Sequence, residues 1–131
     1  MSKHLFTTDF EINASPKMLF PYLNTPSGLA QWMADDVNVN EDKVYNFIWD
    51  DEDHLARLVS HRANQYVKFE FISDDEEDQS DPSYFELRLE TNDLTQSTFI
   101  KISDYSDMDD TEELMDLWES LVENLKETVG G

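Results

Sequence analysis

From Thr111 to Val129 the apolar residues Leu114, Met115, Leu117, Trp118, Leu121, Val122, Leu125 and Val129 recur at steps of three and four. That spacing gathers them on one broad face of a helix. No other stretch of the chain is as long or as periodic. Asp116, Glu119, Glu123, Asn124 and Glu127 occupy the opposite face, so this helix lies at a surface with one side in water. Its other side needs an apolar partner, and the segments before it have the pattern of a sheet.

Phe6, Thr8, Phe10 and Ile12 alternate within residues 5–13, the period-two signature of a half-buried first strand. Ser15-Pro16 and Thr25-Pro26 each set a capping hydroxyl before a proline at the first helical position. Two short helices are predicted, one over 17–23 burying Met18, Leu19, Phe20 and Leu23, and one ending near Met33. Pro21 must shorten or distort the first. Period two then returns. Val37 and Val39 mark a weak strand, and Val44 to Trp49 a stronger one with Tyr45, Phe47 and Trp49 on one face. Past an acidic turn at Asp50 to Asp53, further strands are predicted over Leu55 to His61, residues 66–72, Tyr84 to Glu90 and Leu94 to Ile102. Phe69 and Phe71 share a face, as do Phe85, Leu87 and Leu89, and as do Leu94, Thr98, Ile100 and Ile102. The carboxylate run Asp74 to Asp78 reads as an exposed hairpin loop. Ser106 or Asp107 is expected to cap the approach to the terminal helix, with Asp109, Asp110, Glu112 and Glu113 at its positive end. Short connections between successive strands favour an antiparallel meander. A curved meander wrapped on the terminal helix satisfies the whole pattern, and imperfect matching between bent sheet and straight helix leaves room for a cleft. With glycine only at Gly28, Gly130 and Gly131, bends must come from bulges and from Asn and Asp turns.

The length of 131 residues suits one domain over 1–131, and 8 Phe, 5 Tyr and 3 Trp supply a core despite the heavy charge. With 9 Lys and Arg against 30 Asp and Glu, the formal net charge is −21. Such a field repels nucleic-acid phosphates and anionic lipid, so neither nucleic-acid binding nor membrane insertion is expected. The acid excess serves solubility or faces a basic partner; its spacing does not separate the two. Met1-Ser2-Lys3-His4 leads into alternating residues rather than an apolar run, so no secretory signal is expected. The absence of cysteine fits a reducing cytoplasm, the expected location, as well as many periplasmic proteins.

No metal site is expected. His4, His54 and His61 have no ligand spacing, and Asp50 to Asp53 lacks the alternating ligands of a calcium loop. Asn13-Ala14-Ser15 matches a glycosylation acceptor only formally, in a chain without an export signal. No cysteine nucleophile, GxSxG elbow or glycine-rich phosphate loop occurs, so no catalytic residue and no cofactor are assigned. Arg57, Glu70, Glu86 and Arg88, each within a strand, are expected on the solvent face. The remaining candidates are aromatic. Trp32, Trp49, Phe69, Phe71, Phe85 and Trp118, with Val122 on the terminal helix, are the predicted lining of the cleft, where an apolar or aromatic small molecule would fit.

The stretch from Phe10 to Trp32, FEINASPKMLFPYLNTPSGLAQW, resembles the opening of the START-like, helix-grip superfamily, above all its branch similar to the C-terminal domain of the activator of Hsp90 ATPase. The likeness rests on a first strand, a Ser-Pro helix start and Leu29-Ala30-Gln31-Trp32. It continues through Phe47-Ile48-Trp49 and Leu117-Trp118 to Leu125, covering nearly the entire chain. The resemblance implies an α+β helix-grip fold, with a curved seven-stranded antiparallel sheet gripping the C-terminal helix and two small helices closing one end. It also implies that Trp32 is a cleft residue. For function it implies a choice: a non-catalytic binder of a small hydrophobic ligand, a protein-interaction or chaperone-associated module, or an enzyme similar to polyketide cyclases and aromatases. A homodimer or another protein partner is compatible with each.

Overall fold

Alternating apolar positions become strands because one face of each can be buried while the other meets water. In the computed structural model, which describes residues 3–73 and 80–130, seven strands form one antiparallel sheet. They are β1 (His4–Ile12), β2 (Asp36–Val39), β3 (Val44–Trp49), β4 (Glu52–Arg62), β5 (Tyr66–Phe71), β6 (Tyr84–Asn92) and β7 (Ser97–Ser106). Their order is β1-β7-β6-β5-β4-β3-β2, so β2 to β7 form a meander and β1 joins its far edge beside β7. Three single-turn helices, α1 (Pro16–Leu19), α2 (Pro21–Asn24) and α3 (Pro26–Leu29), follow β1, and α4 (Thr111–Val129) ends the fold. The meander on a terminal helix expected from the periodicity, and the α+β helix-grip fold that the resemblance implies, are observed.

The local chemistry is that of the sequence. Ser15 Oγ accepts from Met18 N and Thr25 Oγ1 from Gly28 N, each cap preceding a proline at the first helical position. Pro21 splits the predicted first helix into α1 and α2, with Phe20 shared between them. Met18 is 55% exposed, contrary to expectation. Three successive residues of one helical turn span too wide an arc to face the core together, and Leu19 and Phe20 take the inward positions. For α4 the cap is Asp110, whose carboxylate accepts from Glu113 N, and Gly130 closes the other end at φ 77°. Ser106 Oγ accepts from Met108 N at 3.4 Å in the turn that leads out of β7, ahead of the helix cap itself.

The hairpins turn without glycine. Positive φ falls on Lys43, Asp50, Asp51, Asn64 and Gln96, all in strand connections. Asp50 and Asp51 both adopt it, forming a two-residue turn closed by the Trp49–Glu52 pair, so β4 begins three residues before its predicted start. At the β6–β7 turn the loop is Asp93 to Gln96, and Leu94 sits at its tip, 95% exposed, rather than in the strand. Asn92 dictates this by accepting from Leu94 N through its side chain and from Gln96 N through its carbonyl. A register shift between Leu58 and Ser60 bulges β4 and bends the sheet. The predicted loop at Asp74 to Asp78 lies outside the described residues.

One face of the sheet contributes Ile12, Phe47, Ala56, Val67, Phe69, Phe85, Leu87, Ile100 and Ile102 to the core. Trp118, Val122 and Leu125 of α4 and Leu19, Leu23, Leu29 and Trp32 of the helical cap complete it. Arg57, Glu70, Glu86 and Arg88 lie on the other face; Arg88 there pairs with Glu86 at 3.3 Å and stacks over Tyr66.

The cap is packed closely at Gly28, where a Cβ would collide with the Pro21 carbonyl oxygen and lie 2.7 Å from Tyr22 Cα. Both are backbone atoms and cannot swing aside. Gly28→Ala should therefore cost about 1–3 kcal/mol by overpacking, read as a lowered urea midpoint, whereas an unchanged midpoint would show that the cap is loosely seated.

Candidate functional site

The extra residues of β7 decide the site. Thr98, Ile100 and Ile102 point inward, and one further step of two brings Asp104 to the same face, directly opposite Phe6 of β1 and Phe85 of β6. A carboxylate here needs a partner, and α4 provides it. Trp118 Nε1 donates to Asp104 Oδ2 at 2.9 Å. The Trp118 side chain is 3% exposed, and its ring centroid lies 6.1 Å from that of Phe85. Burial raises the Asp104 carboxyl above its ordinary value of 3.8, opposed by the hydrogen bonds from Trp118 and Ser106.

Beside this pair the sheet and α4 diverge and leave a hollow of about 310 Å³. Its lining comprises Met33, Trp49, Asp50, Phe71, Phe85, Asp104, Leu117, Trp118 and Leu121. Each wall has a separate anchor. Trp49 donates its indole N–H to the Met33 carbonyl at 2.7 Å, tying β3 to the end of the helical cap. Its ring stacks on Phe47 at 5.5 Å and 10° and meets Phe71 at 6.3 Å; Phe71 in turn lies 5.8 Å from Phe85. Leu117, 45% exposed, stands at the α4 wall where the hollow meets solvent.

Of the residues predicted to line a cleft, the structure brings Trp49, Phe71, Phe85 and Trp118 together here. Trp32 is 2% exposed, with its Nε1 donating to the Tyr22 carbonyl at 2.8 Å, and it borders a neighbouring depression of about 160 Å³. Phe69 and Val122 are buried in the core behind the hollow and do not reach its surface. Asp104, Asp50, Met33, Leu117 and Leu121 were not among those predictions. For Asp104 the signal was present, since the alternation through Ile102 needed only to be carried on by two residues. A larger depression of about 600 Å³ lies between the link after β1 and the β6–β7 turn, where it is walled mainly by Asn, Asp, Ser, Thr and Gln. It is open and polar, and no charged group is buried in it. His4 lies on β1 and His54 and His61 on β4; among the described residues no three His, Asp or Glu side chains are grouped to hold a metal ion.

The profile of the START-like superfamily domain matches residues 1–131. A Bacteroides fragilis protein solved by NMR is 31% identical, covering 98% of this chain and 92% of its own, with a TM-score of 0.64. The Aha1 protein of Colwellia psychrerythraea, described as a dimer in solution, has 19% identity and a TM-score of 0.75 over 96% of both chains. XoxI from Bacillus cereus has 13% identity and a TM-score of 0.73, covering 95% of this chain and 94% of its own. Comparison with curated proteins returns no match. No helix among the described residues is long and apolar enough to cross a membrane.

Because the native state holds the Asp104 proton more tightly than the unfolded chain, this group contributes stability at low pH that is lost as pH rises from about 3.8 through its raised folded value. Asp104→Asn keeps an acceptor for Trp118 Nε1 and removes the titration. Its unfolding free energy should gain on wild type as pH rises through that window and then level off; a difference independent of pH would contradict the assignment. Trp118→Ala, which loses core contacts as well as the hydrogen bond, should cost about 3–5 kcal/mol. A loss under about 1 kcal/mol in chemical denaturation would move Trp118 out of the core.

Proposed function

This chain belongs to the START-like superfamily, and on that premise we propose that it is a non-catalytic domain that binds a small hydrophobic molecule between sheet and terminal helix. The observation that carries this reading is the aromatic hollow beside Trp118, placed where the two layers separate. Its volume of about 310 Å³ falls at the lower end of the ~300–1,000 Å³ typical of small-molecule sites. Its rings are held by stacking and by indole hydrogen bonds, so a ligand would meet a surface already formed. The lining residues offer no hydroxyl, thiol or imidazole, and Asp104 is engaged with Trp118. Apart from the carboxyl groups of Asp104 and Asp50 the lining is apolar contact area, which supports binding over turnover.

Self-association is a second reading, favoured by the dimer of the Colwellia psychrerythraea relative. Native mass spectrometry of protein from its own host addresses both, since a retained small molecule and a doubled mass are separate signals.

The three tryptophans allow a direct test by NMR. Titration with neutral aromatic compounds such as 2-phenylethanol should shift the indole N–H signals of Trp49 and Trp118, which line the hollow, and leave that of Trp32, which does not. Leu117→Glu, at a half-exposed position, should weaken binding about tenfold at little cost in stability. Absence of any shift, or equal binding by the variant, would reject the hollow as the site.

A further inference from the structure

We infer that the molecule bound in this hollow carries a protonated nitrogen, making it a small arylalkyl ammonium compound rather than a neutral or acidic one. This rests on the binding reading above and adds the sign of the ligand's charge. Asp104 is the starting point. It lines the hollow, and its described hydrogen-bond partners are Trp118 and Ser106. A carboxylate has about four acceptor positions, so capacity remains. The ion pairs among the described residues join Arg88 to Glu86 and Lys126 to Glu123; none involves Asp104. The groups facing it across the sheet are the rings of Phe6 and Phe85, and from α4 the indole of Trp118. A carboxylate so placed has lost much of its hydration without gaining a cation.

The rest of the lining discriminates in the same direction. Trp49, Phe71, Phe85 and Trp118 present aromatic rings to the hollow, and the negative face of an aromatic ring attracts a cation while repelling an anion. Asp50 adds a second carboxyl-bearing residue to the lining. At longer range the net charge of −21 concentrates cations near the surface and disfavours fatty acids and other anions. The half-buried carboxylate, the aromatic lining and the overall field act over three different distances, and each favours a positive ligand. The volume sets the size, since about 310 Å³ suits one ring with a short chain better than a sterol or a lipid tail.

Three matched probes separate the possibilities: 2-phenylethylammonium, 2-phenylethanol and phenylacetate, each titrated at 0.15 M salt to screen the long-range field. The ammonium should bind about tenfold or more tighter than the alcohol, the scale of one hydrogen bond to a charged group, and phenylacetate most weakly. Asp104→Asn should abolish the preference, bringing the ammonium and the alcohol to similar affinity in the variant. In the unmodified protein the ammonium-to-alcohol ratio should fall toward one as acidification protonates Asp104. Asp50 is the other titratable lining group, and His54, whose ring is 5.0 Å from that of Trp49, adjoins the same wall. Asp50→Asn, which suits the positive φ of that turn, should leave most of the preference in place. Equal binding of alcohol and ammonium would overturn the charge inference and leave the hydrophobic site standing. A preference that survives in Asp104→Asn and persists at low pH would overturn it too, and failure of all three probes would reject both readings.

Discussion

The contact between Trp118 and Asp104 joins the two layers of this protein at the point where they begin to part. An amphipathic helix of nineteen residues has no reason to stay ordered on its own in water; its order derives from the surface it covers. Leu114, Trp118, Val122 and Leu125 supply the buried stripe, and Trp118 adds a directed bond to the sheet, beside a weaker one from Thr8 Oγ1 of β1 to Met115 Sδ at 3.6 Å. Burial of that stripe selects the face the helix turns to the sheet. The hydrogen bond from a large, stiff side chain to a strand residue adds a directional constraint to that seating. The price is a carboxylate kept in a poor solvent.

Two further tryptophans perform comparable work on the cap. Trp32 binds the Tyr22 carbonyl within the helical cluster, and Trp49 binds the Met33 carbonyl across to β3. Tyr45 of β3 adds a bond to the Asn24 carbonyl at 2.9 Å. Short helices that would not persist alone are thus held by side chains that bury a large apolar body and spend their single polar atom on a backbone oxygen. No buried side-chain nitrogen or oxygen among the described residues lacks a partner. The hollow is framed by two of these three anchored indoles, which is why it can persist as open space in a protein otherwise closely packed.

Much of this organisation was legible in the residue pattern. The helix from Thr111 to Val129 followed from periodicity alone, and the inward sets of β1, β5 and β6 followed from alternation. The misreadings have physical causes. Leu94 looked like a strand residue because it is apolar, but the side-chain and backbone bonds of Asn92 close a loop that leaves it in water. Met18 was drawn inward by its hydrophobicity, although one turn of helix cannot bury three consecutive residues. The strand β7 was ended too soon because Asp104 is charged, and a charge in a strand is ordinarily read as an exit from the core. In this protein the alternation continues through the charge, and the indole that makes this tolerable comes from a helix fourteen residues later. That pairing depends on how the helix is seated, which the local pattern does not encode.

The same seating explains why the apolar face of α4 is wider than its buried stripe. Leu117 and Met115 remain substantially exposed, and Leu121 is half-buried, all on the margin of the packed line. Leu121 packs on the margin of the core and Met115 Sδ accepts from Thr8 of β1, which leaves Leu117 at the open side of the hollow. Rotating the helix to bury Leu117 would pull Trp118 away from Asp104 and leave that half-buried carboxylate with Ser106 as its described partner. The helix instead keeps the Trp118 bond to a half-buried carboxylate and leaves Leu117 in partial contact with water. The hollow opens beside the Trp118–Asp104 bond, with Leu117 and Leu121 at its helix wall. Its aromatic floor is the part of the core that the helix, so fixed, cannot cover.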